Sequence, residues 1–477
     1  MEHLHKKLLF LLLLALMGSQ IQAQDVWSLE RCIEHAAKNS LAVKQAQTRI
    51  RDAELLLEQS QRSWLPSANA STNAGYNFGR TIDPTSNSFL NRSIGFNSLS
   101  LNASAPLYTG GQISNTIKQN KLSTEAARLD ANTTVNNLSL DVAVAYLNIL
   151  LSEEQLNNAR KRLDLSKAQL EQTDRLIEAG SRPRNERLNL VSQVALDQQT
   201  VIEGENTVIN NYLILSQLML LPPGEQIQIE KIDVIVPADV NPDTYKLVDV
   251  YNLALNTQPQ IMAGEKRLAS AQVAVEAAKA SMRPRLSIFG TLTANASTQY
   301  KSISGYESTR ISQTAYINNQ AVNFEIPQNI PILTGQRYFD QINSTFGQSV
   351  GISLTVPIYN NDRFRIGVER SRLNVINTEI TNQQLRQTLS SNVQRSITNA
   401  RGSKRLLDAA IAGEDAARVA YVAAQDRYAI GAANSFDLSN ARLNLDRAQI
   451  DLIRAKFQYV FNIKQVEFYQ GKPLTLK

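Results

Sequence analysis

The two halves of this chain repeat each other, and that constrains its fold more than any other feature. At an offset of 218 residues, Leu29 matches Leu247, Ala36 matches Ala254, Arg49 matches Arg267 and Pro66 matches Pro284. Past the next proline the offset is 251: Pro106 matches Pro357, Tyr108 Tyr359, Leu122 Leu373, Leu138 Leu389, Val142 Val393 and Gly180 Gly431. The offsets differ by 33 residues, an insertion in the second half within about 298–346. A self-similar chain builds one supersecondary unit twice and buries the faces of both copies together. Repeats are expected over 24–220 and 246–477, joined by a Pro-rich connector at 221–245.

Within each half the hydrophobic period changes twice. Residues 28–64 and 246–282 have the spacing of amphipathic helices. Alternation follows. Leu99, Leu101, Ala103 and Ala105 share one side of a strand whose other side is Ser98, Ser100, Asn102 and Ser104. Val350, Ile352, Leu354 and Val356 alternate likewise with Ser349, Gly351, Ser353 and Thr355. Strands are expected at about 66–80, 95–108, 284–297 and 347–359. A small-polar face opposite an apolar one suits a strand between water and lipid, and equally a half-buried soluble sheet.

The helical period then returns over about 112–180 and 362–430, each without proline. At 1.5 Å per residue each run is roughly 100 Å of helix. Second helices follow at about 185–220 and 436–470. The last carries a heptad seam of Leu438, Leu445, Leu452, Tyr459 and Val466, and a second stripe of Ile450, Ile453, Phe457 and Val460. Its mate in the first half keeps Val194, Val201, Val208 and Leu215 in register. Two seams on one helix require neighbours on two sides.

Residues 1–23 have Lys6 and Lys7 before the apolar run Leu8–Leu16, and Ile21-Gln22-Ala23 as a cleavage site, the pattern of a secretory signal peptide. Its removal takes the net charge from +6 to +5. No later apolar stretch is expected to span a bilayer as a helix, so the mature chain is expected to be exported. Of the three histidines only His35 survives, and Cys32 is the single cysteine. A Ser-His-Asp triad, a histidine metal site and HExxH are therefore excluded. No GxxxxGK[ST] or GxGxxG occurs either. Cys32 and His35 are three apart on a helical face, but the repeat sets them opposite Val250 and Leu253, which points to packing. No enzyme activity, catalytic residue, metal, cofactor or nucleic-acid partner is expected.

Four strands cannot close a barrel, for which about eight is the minimum. Membrane strands would therefore require an oligomer, and an exported chain without apolar helices can reach only an outer membrane. At this point the chain resembles the outer membrane efflux protein family, the TolC-like channels, over nearly all of the mature sequence. The resemblance rests on the order helix, strand pair, helix pair occurring twice. It rests also on Ala105-Pro106-Leu107-Tyr108 and Val356-Pro357-Ile358-Tyr359, and on the turns Ala179-Gly180 and Ile430-Gly431. The block Gly75-Tyr76-Asn77-Phe78-Gly79-Arg80-Thr81-Ile82-Asp83-Pro84 is similar to the variant in Bacteroidetes-type members. The resemblance implies an α+β membrane protein: a homotrimer with a twelve-stranded barrel among the lipids of the outer membrane of a Gram-negative bacterium. A twelve-helix periplasmic tunnel would meet an adaptor (membrane fusion) protein and an inner-membrane pump of RND or ABC type. The implied function is the exit duct of a tripartite efflux or type I secretion system.

The resemblance also implies site residues. Gly180 and Gly431 would form the periplasmic tips where the tunnel is gated. A family tyrosine three residues before the second glycine bonds to an acid six residues after the first; those positions are Tyr428 and Glu186. A family arginine two residues after the second glycine is Ala433 here. Of two acidic rings expected at the constriction, Asp437 keeps one and Asn440 leaves the other neutral; Asp437 reads equally as a helix N-terminal acid. Arg182 and Arg184 are candidates for replacement contacts or adaptor binding, or solvated charge. The insertion within 298–346, rich in Ser, Thr, Asn, Gln and Tyr, is expected to be an enlarged extracellular loop partly covering the barrel mouth. Tyr76, Tyr108 and Tyr359 suit interfacial anchors or ordinary packing. The competing reading is an exported coiled-coil structural or adhesin-like surface protein with soluble strands.

Overall fold

The computed structural model describes residues 26–82, 87–91, 93–225, 227–231, 240–317 and 319–474. The expected leader 1–23, part of the connector, and Asp83-Pro84 of the Gly75–Pro84 block lie outside the described residues. In chain order the elements are β1 (Val26–Trp27), α1 (Leu29–Asn39), α2 (Leu41–Arg62), β2 (Ser67–Asn77), β3 (Arg80–Ile82), β4 (Phe89–Asn91), β5 (Ile94–Tyr108), α3 (Gln112–Glu178) and α4 (Asn185–Met219). The second half supplies β6 (Gln228–Ile229), α5 (Leu247–Thr257), α6 (Pro259–Ala280), β7 (Arg285–Ser297), β8 (Lys301–Ile317), β9 (Gln320–Gly335), α7 (Tyr338–Ser344), β10 (Gly347–Thr355), α8 (Arg363–Ala429) and α9 (Ser435–Tyr469).

The opening helix of each repeat is broken, not continuous as the periodicity suggested. Breaks fall at Ser40 and at Gln258, equivalent positions at the 218 offset. In the second repeat Pro259 is the cause: it lacks an N–H and drives the preceding residue out of the helical region. Ser40 adopts the same extended backbone without a proline. The repeat also persists where its residue types change. Gly110 and Gly111 turn β5 into α3 with φ of 65° and 92°, and their equivalents Asn361 and Asp362 hold φ of 54° and 59° before α8. Asn and Asp are the non-glycine residues that best tolerate this left-handed region.

The chain forms two compact units that cut across the repeats. One comprises the described residues of Met1–Glu54, Lys121–Ser270 and Val375–Lys477; the other comprises those of Leu55–Asn120 and Ala271–Asn374.

The first unit is helical. Leu29, Cys32 and Ala36 of α1 pack with Val142, Tyr146, Ile149 and Leu150 of α3 and with Leu215 and Met219 of α4. In the second cluster Val250 and Ala254 of α5 pack with Leu389, Val393 and Ile397 of α8. Helix α9 serves both: Phe457 and Val460 enter the first cluster, while Ala455, Tyr459, Ile463 and Val466 enter the second. A third cluster joins Leu156, Ala159 and Leu163 of α3 to Val201 of α4, flanked by Val194 and Val208. Helix α3 contains one window apolar enough to cross a membrane; its Val142, Tyr146, Ile149 and Leu150 are buried in the first cluster. Leu253, expected to pack, is 49% exposed. Cys32 is fully buried, and burial pushes its thiol up to about 12. It is no nucleophile at neutral pH.

The second unit holds an antiparallel sheet of order β10-β7-β5-β2, a small hairpin β3/β4 and a long hairpin β8/β9. Strand β10 stops at Thr355, before Val356 and Pro357, and β2 at Asn77. The insertion, expected as a loop, is regular: strands of 17 and 16 residues followed by α7.

Parallel pairing of β1 with β6 ties the start of the first repeat to the connector. The fully buried Tyr146 hydroxyl lies between the Glu230 and Trp27 carbonyl oxygens, at 2.9 and 3.2 Å, and locks that pairing onto α3. In the second repeat Tyr459 of α9 donates to the Val240 carbonyl at 2.9 Å. Tyr146→Phe is expected to destabilise the helical unit by about 1–2 kcal/mol, because buried carbonyls lose their donor. Hydrogen exchange at α1 and β6, compared with the wild type, checks it.

Candidate functional site

In an antiparallel sheet directly opposed residues share a face, so the register assigns every side chain. One face of the four-stranded sheet carries Ala68 and Ala70 of β2, Leu99, Leu101, Ala103 and Ala105 of β5, Ile288 and Leu292 of β7, and Val350, Ile352 and Leu354 of β10. The opposite face carries mainly small polar residues: Ser67, Asn69 and Ser71, then Ser98, Ser100, Asn102 and Ser104, then Ser287, Thr291 and Thr293 with Arg285 and Phe289 among them, then Ser349, Ser353 and Thr355. Its hydroxyls bond across strands, as between Ser71 and Ser100 at 2.7 Å. The apolar face is open: Val350 is 79% and Ile352 66% exposed. At one end α7 covers Ala294 and Ala296. It is held there by Tyr338 donating to Asn97 Oδ1 at 2.7 Å, by Gln341 accepting from the Ser297 N–H at 2.8 Å, and by Thr345 donating to the Asn295 carbonyl at 2.7 Å.

In the helical unit the two glycine turns have one geometry. Gly180 and Gly431 sit at φ of 76° and 75° after α3 and α8. The Gly180 N–H donates to Ile177 O and the Ser181 N–H to Leu176 O; the Gly431 and Ala432 N–H groups donate likewise to Tyr428 O and Arg427 O. This is the Schellman ending, which caps the last carbonyls and places glycine where other residues are strained.

The structure brings Tyr428 and Glu186 together: the tyrosine hydroxyl donates to Glu186 Oε2 at 3.3 Å. Arg182 completes the group. Its guanidinium lies 4.3 Å from the centre of the Tyr428 ring, donates to the Tyr428 carbonyl at 3.0 Å and pairs with Glu186 at 3.5 Å. Burial raises the Tyr428 hydroxyl above its ordinary value, Arg182 opposes that and Glu186 adds to it. Arg184 is exposed at the start of α4. Asp437 is exposed in the first turn of α9, its N–H bonded to the Asn434 cap at 2.8 Å, and Asn440 is exposed one turn later. Among the described residues, neither is hydrogen-bonded or ion-paired to the Tyr428 group.

A second charged group, which sequence reasoning missed, is buried between α3, α4 and α9. Asp197, 2% exposed, pairs with Arg162 at 3.1 Å and with Arg442 at 3.8 Å, and accepts from Gln193 at 3.1 Å and from the Ser166 hydroxyl. Arg162 also pairs with Asp446 at 3.6 Å, and Arg442 donates to the Arg162 carbonyl at 2.7 Å. The signal was present as spacing. Arg162/Ser166, Gln193/Asp197 and Arg442/Asp446 are all four apart, and Arg162 and Asp197 lie 18 residues before and 17 after Gly180, so an antiparallel helix pair sets them face to face. Among the described residues, no group of three or more His, Cys, Asp and Glu is placed to hold a metal.

The sequence profile described as "Outer membrane efflux protein" matches residues 32–219 and 250–471. The chain belongs to the outer membrane efflux protein family. It is 24% identical over 344 residues to the alkaline protease secretion protein AprF of Pseudomonas aeruginosa. The match covers 70% of this chain and 61% of that relative's length. Its fold is similar to that of CusC, whose crystal structures concern folding and transmembrane channel formation, with a TM-score of 0.71 at 15% identity over 93% of this chain and 92% of that one. The outer membrane protein VceC of Vibrio cholerae gives a TM-score of 0.71 at 13% identity, over 93% and 96% of the two chains. At those identities the likeness is one of fold.

Asp197→Ala is expected to destabilise the helical unit by about 3–5 kcal/mol, because buried Arg442 loses its carboxylate and Arg162 keeps only the longer pair with Asp446. Asp446 behaves oppositely. Burial outweighs its arginines and holds its carboxyl above the ordinary value. The folded chain thus keeps a proton that the unfolded one has lost, and stability falls as pH rises from the ordinary Asp value of about 3.9 through the raised one. Asp446→Asn should remove that slope, measurable by chemical denaturation between about pH 4 and pH 7. A variant with the wild-type slope would refute the assignment.

Proposed function

We propose that the protein is the outer-membrane exit duct of a tripartite efflux or type I secretion system, passively exporting small molecules or polypeptides. The observation that carries this reading is the sheet with one open aliphatic face and one Ser/Thr/Asn face. An aliphatic face suits lipid and a hydroxyl face suits a water-filled lumen. Strands of 9 to 15 residues match the roughly 9–11 residues that a tilted strand needs to cross a bilayer. Three copies of the four strands would close a twelve-stranded barrel, and the long helices of three copies a twelve-helix periplasmic tunnel. Family membership supports this placement, and AprF, named for protease secretion, supports polypeptides among the cargo. An adaptor protein and an inner-membrane pump complete the system, with Arg184 as an exposed adaptor contact.

The Gly180 and Gly431 turns are proposed as the periplasmic tips. Tyr428, Glu186 and Arg182 hold the tips of one protomer together. Asp437 of three protomers forms a single negative ring at the entrance, with Asn440 as a neutral layer beyond it. A negative ring in a narrow mouth focuses its potential and favours cations.

Extraction of the native protein tests the reading as a whole: a heat-dissociable trimer that needs detergent is expected in outer-membrane fractions, and a monomer soluble without detergent would overturn it. Ile352→Arg should impair assembly by about 2–4 kcal/mol if the aliphatic face meets lipid near the midplane, whereas Ser353→Arg on the hydroxyl face should assemble normally. In planar bilayers Asp437→Ala is expected to lose cation selectivity. Unchanged reversal potentials in that variant would remove Asp437 from the gate.

A further inference from the structure

The insertion in the second repeat carries an amphipathic surface of its own. Among the described residues β8 and β9 pair only with each other, and every residue of β9 is exposed. Their register gathers Ile311, Val322, Phe324, Ile326, Ile330 and Ile332 on one face. The other face holds the Arg310–Glu325 ion pair at 3.4 Å and the Thr314–Asn323 hydrogen bond at 2.6 Å. At 3.4 Å per residue, the apolar stripe from 322 to 332 runs about 34 Å. Gln328, paired with Thr309, interrupts the stripe between Ile326 and Ile330. A lone two-stranded ribbon is marginal in water, and exposed aliphatic and aromatic side chains gathered on one of its faces mark an interaction surface.

We propose that the apolar faces of three such hairpins, one from each protomer, pack against one another on the trimer axis and form a plug over the outer end of the duct. This rests on the trimeric reading above. Three observations select further copies of this chain as the occupant. First, β8 places Glu307 opposite Ile330 and Gln313 opposite Phe324 on that same face. A carboxylate is expensive against hydrocarbon, but it suits the rim beside an apolar protein interface. Second, Pro327 and Pro331 remove two N–H donors from β9, which opposes strand addition at its edge and leaves face-to-face contact. Third, the ribbon is rooted on the sheet that itself needs further copies. Only residues 298–300 separate β7 from β8, and the returning chain is clamped to Asn295 and Ser297 by Thr345 and Gln341. Trimer closure through β10 and β2 therefore brings three ribbons around one axis.

The test uses full-length protein in native outer-membrane vesicles. Ile326→Cys adds one accessible thiol, since Cys32 is buried. Oxidation with copper phenanthroline is expected to link two of the three copies in most trimers, because near the axis the cysteines fall within disulfide reach. Ser312→Cys, on the polar face, should stay unlinked. Gel mobility before oxidation reads the trimer independently: a trimer without the residue 326 link overturns the plug alone, and the absence of a trimer overturns the reading beneath it. As a second measurement, replacing residues 303–333 with an Asn-Gly turn should raise single-channel conductance about twofold or more, since a packed constriction has been removed. Unchanged conductance also overturns the proposal.

Discussion

A row of backbone N–H and C=O groups at the edge of a sheet is tolerable in water and costs several kcal/mol per group in hydrocarbon. The rest of this architecture depends on that constraint. The sheet ends in two edges, β10 and β2, and one of its faces is an open field of Val, Ile and Leu. Covering that face with lipid leaves both edges unsatisfied in one protomer, and pairing them with further protomers satisfies both at once. The same requirement explains why α7 lies where it does. It bonds the N–H of Ser297 and both backbone groups of Asn295 through side chains, at the point where β7 outruns its β10 partner.

The helical unit meets a different constraint, which is how two copies of one repeat share a core. Helix α9 supplies the answer because its two stripes diverge: Phe457 and Val460 serve the cluster built on the first repeat, while Tyr459 and Ile463 serve that built on the second. Each repeat also carries one buried tyrosine that reaches a backbone carbonyl near the connector, Tyr146 to Glu230 and Tyr459 to Val240. The two tyrosines are not equivalent in the repeat, so duplication alone did not place them. Both answer the same need, to satisfy carbonyls where a short segment is pressed against long helices.

Most of this was legible in the sequence where periodicity or repetition carried it. The seams of α9 and the alternation around Leu101 and Ile352 follow from spacing that one chain displays, whereas the Tyr428–Glu186 contact came from the resemblance to the family. What escaped detection has physical reasons. Ser40 carries no breaker that distinguishes it from a mid-helix serine, so the break between α1 and α2 was visible only through its partner at Pro259. The hairpin β8/β9 hid behind its composition: Ser, Thr and Asn suggested a loop, although Val322, Phe324, Ile326 and Ile330 hold the period of a strand. The Arg162–Asp197–Arg442 group went unread although its spacing was present, because charges on helices are ordinarily solvated and burial depends on which helices lie opposite.

The two charged groups along the helix hairpins differ in how firmly they hold. At the glycine turns, Arg182, Tyr428 and Glu186 are half-buried, so water reaches them more readily than it reaches Asp197. Their separation returns every group to water. Between the helices, Asp197 is almost wholly buried beneath two arginines, and withdrawing one partner leaves a charge without solvent or counter-ion at about 3–5 kcal/mol. A force that parts the helix ends therefore meets weak resistance at the glycine turns and strong resistance one layer in. Under the gating proposed above, splaying is confined to the stretch between them, some 12 residues at the start of α4 and the corresponding ends of α3 and α9. In the gating proposed above, the buried group is the fulcrum and the group at the glycine turns is the latch. On that proposal a half-buried latch is open to a partner that offers replacement hydrogen bonds, whereas the almost wholly buried Asp197 is out of such a partner's reach.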